Sequence, residues 1–208
     1  MRLFHAADAV KDQTFFLSQV NQEPLQRCMF PLGDMLKKDV KKLAYEADLD
    51  VIAQKPESMG ICFIGTRTFQ NFISEYLENK PGKFIDYETG EVVGEHQGIH
   101  FWTLGQRCRI PGRAKAYFIL HKSTETNEIL VIQGTTHPAL YTRFYVTSPA
   151  HWIVEEPIEF VENPGAILHC QYKVQRNDKL TNCRVFRTSK GELAVISETA
   201  KRAVTPGQ

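Results

Sequence analysis

The sequence has little cysteine: five in 208 residues, at Cys28, Cys62, Cys108, Cys170 and Cys183. None forms a CxxC pair, which excludes a zinc ribbon and argues against a secreted disulfide framework. No apolar run approaches the roughly 18 residues of a membrane span, so no membrane partner is expected. Neither charge is in excess: 25 Lys and Arg face 24 Asp and Glu, a net charge of +1. That excludes a protein coating polyanions with its whole surface and leaves open only a local basic patch. The phosphate-cradling patterns GxxxxGK[ST] and GxGxxG are absent, as are internal repeats and low-complexity tracts. Met1-Arg2-Leu3-Phe4-His5 lacks the apolar stretch of a secretory signal, and Asp8 and Asp12 come too early for a transit peptide.

What is present is globular composition, 42% apolar and 24% charged, on a chain long enough to bury a sizeable core. Residues 1 to about 65 read as helical. Asp12 is placed to cap a short helix bearing Phe15, Phe16 and Val20, and Asp34 to cap one with the stripe Leu36, Val40, Leu43, Ala44 and Ala47. Lys37, Lys38, Lys41 and Lys42 fall off that stripe, as a solvated face or a phosphate-facing patch. Thr66 is expected to cap a third helix with a buried stripe of Phe69, Phe72, Ile73, Tyr76 and Leu77, stopped at Pro81-Gly82. Alternating apolar segments then predict hairpins at 83–94 and 117–132, and strands around 144–146, 166–170, 183–186 and 194–196, at spacings that suit a small barrel.

Few residues in this pattern suggest chemistry. Cys62 lies in Gly60-Ile61-Cys62-Phe63-Ile64-Gly65, where a loop feeds a helix. A thiol near a helix N-terminus gains thiolate character; the alternative is a buried structural cysteine. Cys28, Cys108, Cys170 and Cys183 lack this turn and read as inert. His96 and His100 have a metal-like i, i+4 spacing, but Gly98 between them argues against a helix presenting both, so no metal site is expected. Lys11-Asp12-Gln13 offers a cation, a carboxylate and an amide, which serve either a nucleotide contact or a plain helix cap.

Four blocks occur in order along nearly the whole chain: Lys11-Asp12-Gln13-Thr14-Phe15-Phe16-Leu17, Glu57-Ser58-Met59-Gly60-Ile61-Cys62-Phe63-Ile64-Gly65, His96-Gln97-Gly98 with Thr103-Leu104-Gly105-Gln106-Arg107, and Ala203-Val204-Thr205-Pro206-Gly207-Gln208. In these blocks the chain resembles the tRNA-specific 2-thiouridylases of the MnmA type, with wording like that of the animal mitochondrial members. The resemblance implies sulfur transfer to C2 of the wobble uridine of tRNA. ATP, with Mg2+, adenylates the C2 oxygen, and a cysteine persulfide loaded by a sulfur-donor protein then delivers sulfur. It implies Cys62 as the persulfide cysteine, and Lys11, Asp12, Gln13, Gln175, Arg176 and Gln208 as tRNA contacts. Gln175 and Arg176 depart from the Arg-Tyr pair common in bacterial members.

The fold class implied is α+β. Residues 1–65 would be a helical remnant of an N-terminal α/β nucleotide-binding domain, 66–140 a small central mostly-β domain, and 141–208 an incomplete C-terminal β-barrel. The family's SGGxDS phosphate loop does not occur in the sequence, and neither does its second active-site cysteine. The expectation is therefore a central and C-terminal portion that does not hydrolyse ATP and does not thiolate tRNA by itself, in a mitochondrial setting. A non-catalytic tRNA-binding module, or a fragment without a function of its own, are the alternatives.

Overall fold

The computed structural model describes residues 2–56, 64–65, 67–112, 115–176 and 178–207. Cys62, Thr66 and Gln208 lie outside them. Two compact units are present, one of residues 1–57 with 144–198, the other of 58–143 with 199–208.

The second unit is built on a five-stranded sheet. Its strands are β1 (Gly82–Asp86), β2 (Val92–His96), β3 (Arg107–Cys108), β4 (Tyr117–Ser123) and β5 (Glu128–Gln133), in the order β2-β1-β5-β4-β3. β1–β2 and β4–β5 are the antiparallel hairpins expected from the alternating pattern, and β1 joins them by pairing parallel to β5. Inward residues of the strands, Phe84, Val93, Cys108, Tyr117, Ile119, Ile129 and Val131, form one apolar core. A polar group anchors the first turn: Asp86, only 4% exposed, takes Glu88 N at 2.8 Å and Thr89 N at 3.2 Å on Oδ1. Its other oxygen accepts the Tyr117 hydroxyl at 2.7 Å, and that hydroxyl accepts Gln133 Nε2 at 2.7 Å. The buried carboxylate is thus hydrogen-bonded, as burial requires.

α5 (Phe69–Ile73) precedes this sheet. Its cap is Thr68, whose hydroxyl accepts Asn71 N at 3.2 Å, two positions beyond the expected Thr66. The expected buried stripe is not buried: Phe69 is 52% and Tyr76 68% exposed. The helix also ends sooner than Pro81-Gly82, at Ile73.

The first unit combines short helices with a sheet. α1 (Thr14–Leu17), α2 (Gln22–Gln26), α3 (Lys37–Glu46) and α4 (Asp50–Ala53) come first. β6 (Tyr141–Pro149), α6 (Ile158–Glu162), β7 (Ile167–Tyr172), β8 (Thr181–Arg187) and β9 (Glu192–Arg202) follow, the strands ordered β6-β9-β8-β7, with 141–143 of β6 and 199–202 of β9 belonging to the second unit. Phe160, Cys183, Val185 and Val195 form the core, with Tyr145, Trp152, Leu168 and Tyr172 against it. The N-terminal helices and their connections leave much apolar side chain in solvent, Met29, Phe30, Leu32, Leu43, Val51 and Ile52 among them. The fold is α+β, as expected, with two sheets.

Candidate nucleic-acid interface

The loop before α1 is shaped by two carboxylates. Asp8 Oδ1 accepts Val10 N at 3.1 Å and Lys11 N at 3.2 Å, closing a tight turn. Asp8 Oδ2 accepts Lys37 N at 2.9 Å and so supplies the N-terminal cap of α3. That role was expected of Asp34; the cap comes instead from a residue distant in sequence. The Lys37 amide, ahead of the other donors, holds the Asp8 carboxyl below its ordinary range.

Asp12 is turned into the protein and is 8% exposed. Its Oδ2 accepts Ala6 N at 2.6 Å, and its Oδ1 accepts Thr14 N at 3.1 Å and the Thr14 hydroxyl. His5 Nδ1 lies 3.5 Å from Oδ1. Burial alone would raise its pKa, but the bonds from Thr14, Ala6 and His5 outweigh it and hold the carboxyl at about 2. Asp12 is therefore a bolt of the loop: both of its oxygens are engaged within the protein.

With the Asp12 carboxylate turned inward, its neighbours Lys11 and Gln13 are exposed. The turn between β7 and β8 carries Gln175 and Arg176, also exposed. Arg176 Nη2 donates to Val10 O at 2.6 Å and Nε to Asp12 O at 3.2 Å. Two segments that the sequence reading singled out separately, 11–13 and 175–176, are joined by one guanidinium. The result is a patch of cation and amide groups on a braced main chain, suited to phosphate and base-edge contacts. Cys62 and Gln208, the remaining site expectations, lie outside the described residues.

The second unit joins two further blocks. Gly105 lies at φ 75°, and a Cβ there would fall 2.5 Å from Ala203 Cβ and 2.9 Å from Arg202 Nη1. Only glycine fits both the left-handed backbone and the space. Arg202 donates to Gly105 O at 2.9 Å and Thr135 O at 3.2 Å, with its guanidinium 5.3 Å from the Phe118 ring centre. Asp8 and Arg202 escaped the sequence reading because their partners are remote; neither sits in a pattern that marks it.

The lysines of α3 divide. Lys37 and Lys41 line a cavity of about 200 Å³ with Lys55, Val40, Ile52 and Pro56, while Lys42 lies 3.6 Å from Glu46 in an exposed pair. Among the described residues no group of three His, Cys, Asp or Glu is placed to hold a metal, and no helix is long and apolar enough to cross a membrane.

Comparison with known proteins defines the class by its parts. Residues 1–66 match the tRNA methyl transferase HUP domain, 70–133 the tRNA methyl transferase PRC-barrel domain, and 142–208 the aminomethyltransferase beta-barrel domain. Over its full length the chain is 41% identical to the mitochondrial tRNA-specific 2-thiouridylase 1 of Drosophila melanogaster, covering 53% of that protein. It is 41% identical to the Homo sapiens protein of that name, covering 49%, and 38% identical to the tRNA-specific 2-thiouridylase MnmA of Alkaliphilus oremlandii, covering 56%. The chain belongs to the tRNA-specific 2-thiouridylase family, a family of transferase enzymes. It spans about half the length of the curated relatives it matches.

Proposed function

We propose that this chain is the sulfur-carrying and tRNA-docking portion of a tRNA-uridine 2-sulfurtransferase. The observation that carries the reading is the Arg176 bridge to Val10 and Asp12, which unites the two segments assigned to tRNA by resemblance. Lys11, Gln13 and Gln175 offer donors and a cation to the RNA, with Gln208 as a further contact. Asp12 acts as a positioning residue, holding the loop while its carboxylate stays away from phosphate. Arg176 braces the same loop and adds charge at its edge. Cys62 accepts sulfur as a persulfide from a sulfur-donor protein and passes it to C2 of the wobble uridine.

The domain division proposed is 1–65, 66–140 and 141–208, supported by the three family segments. A mitochondrial setting is supported by the names of the animal relatives. ATP with Mg2+ would supply the activating adenylation. Among the described residues no group of His, Cys, Asp or Glu is placed for Mg2+, and the 200 Å³ cavity carries Lys37, Lys41 and Lys55 without a carboxylate. No step is therefore assigned to ATP on these residues.

The test has two readouts on the purified chain. Binding of a labelled tRNA transcript with a wobble uridine is expected at micromolar affinity, weakening with salt as phosphate contacts release counterions. Lys11→Ala should weaken it several-fold. Equal binding of a DNA hairpin of the same length would overturn the docking role. A small-molecule persulfide donor should add about 32 Da to Cys62, and not in Cys62→Ser. Binding without that addition would leave a non-catalytic tRNA-binding module.

A further inference from the structure

We propose that Cys170 and Cys183 are a covalent modification site: a thiol pair that oxidises to a cross-strand disulfide and staples the base of the β7–β8 hairpin. The two residues are direct partners in the antiparallel β7–β8 ladder. Directly opposed positions on such a ladder hold their Cα atoms about 4.5–5.5 Å apart, within the span a disulfide requires. Their Sγ atoms lie 3.5 Å apart, thiol against thiol. A small side-chain rotation brings them to bonding distance with no change of strand register.

The two thiols differ in access. β7 is the edge strand and Cys170 is exposed, whereas Cys183 is 5% exposed and packs in the core with Val185. This asymmetry sets an order of events. A low-molecular-weight disulfide, glutathione disulfide for example, is the oxidant. The Cys170 thiolate attacks it, forming a mixed disulfide and releasing one small thiol. Cys183, as thiolate, then attacks Cys170 Sγ, forming the protein disulfide and releasing the second small thiol. Two protein thiols lose two electrons and two protons, and one small disulfide becomes two thiols. Burial, with Cys170 beside it, pushes the Cys183 thiol up to about 12.

The bond would close the segment that carries Gln175 and Arg176. Its consequence is local: the neck of the hairpin becomes covalent while the turn between the strands keeps its reach to Val10 and Asp12. The pair stands whether or not that turn meets RNA.

The experiment treats the full chain with glutathione disulfide at pH 8, then alkylates, digests with trypsin and maps by mass. The expected product joins the peptides of Cys170 and Cys183, about 2 Da lighter than the two reduced peptides together. Cys183→Ala should stop at a glutathione adduct on Cys170, and the exposed-site variant Cys170→Ser should give neither adduct nor link at Cys183. In the oxidised chain, amide exchange over 173–180 should slow at least about five-fold, by removal of hairpin opening. A persistent adduct on Cys170 of the unsubstituted chain, or a link from Cys170 to Cys28 or Cys62, would overturn the pairing. Unchanged exchange over 173–180 after complete linkage would overturn the staple.

Discussion

Arg176 donates through Nε to the main-chain carbonyl of Asp12, across 164 positions of sequence. The contact ties a turn of the β7–β8 hairpin to the loop before α1. It uses carbonyls, so the residue identities at 10 and 12 do not betray it. A lysine would make one of its two bonds, not both, because the fork of the guanidinium spans the two carbonyls.

Removing that fork should loosen the loop more than the fold. Arg176→Ala is expected to cost the first unit about 1 kcal/mol, at the low end for a charged donor because the side chain is exposed. Amide exchange over residues 6–14 should rise, while exchange at β8 and β9 stays within error. Equal acceleration at β8 would mean that Arg176 supports the sheet and not the loop.

Asp12 gives the same loop an acid limit. Its folded pKa, about 2, is depressed from 3.8. Its contribution is therefore complete above pH 4 and is lost as pH falls toward 2. Its magnitude is at most about 2 kcal/mol by linkage. Asp12→Asn should lower stability at pH 7 and flatten the stability profile between pH 4 and pH 2. A variant whose acid limb retains the full wild-type slope would assign that limb to other carboxylates.

In the second unit, Tyr117→Phe should be costly for the loss of one atom. The Asp86 carboxylate loses a hydroxyl donor at 2.7 Å, and Gln133 loses an acceptor. A loss of about 1–3 kcal/mol is expected from buried groups deprived of a partner. Combined with Asp86→Asn in a double-mutant cycle, the two changes should be clearly non-additive; strict additivity would place the cost elsewhere.

Gly82→Ala tests packing without chemistry. A Cβ at Gly82 would lie 2.0 Å from Asn127 O and 2.7 Å from the His96 ring. The carbonyl belongs to the backbone between β4 and β5, so little can yield. A destabilisation of at least about 1–3 kcal/mol is expected from overpacking, read by urea unfolding. The Gly90 turn of the same sheet has open space around a φ of 72°, so alanine there should cost only backbone strain.

The strands of both sheets, the two-residue β3 apart, were legible because apolar alternation is a local signal and the sheets honour it. The segments 83–86 and 129–132 lie in β1 and β5 as expected, although their parallel pairing was not readable. The helical period of residues 36–47 was legible too, but not its cap, because Asp8 is far away in sequence. Nor was exposure: periodicity reports which face is apolar, not whether anything covers it, and Phe69 and Tyr76 are largely in solvent. Lys11, Asp12, Gln13 and Arg176 could be nominated from the sequence, but not the inward turn of Asp12. Cys170 and Cys183 read as inert because each, taken alone, has no notable neighbours. Their relation exists only in the ladder.

The first unit is discontinuous in sequence, since residues 1–57 are completed by 144–198. During synthesis the Val10 and Asp12 carbonyls wait for an arginine that is made much later. At roughly 5–20 residues per second, that delay is on the order of 10 s. Throughout it, Leu25 and Ala53, buried in the folded chain, belong to a segment without its partner strands. The first unit thus closes late in synthesis, and pausing of translation within 58–143 would lengthen the exposure of its first segment to aggregation and proteolysis.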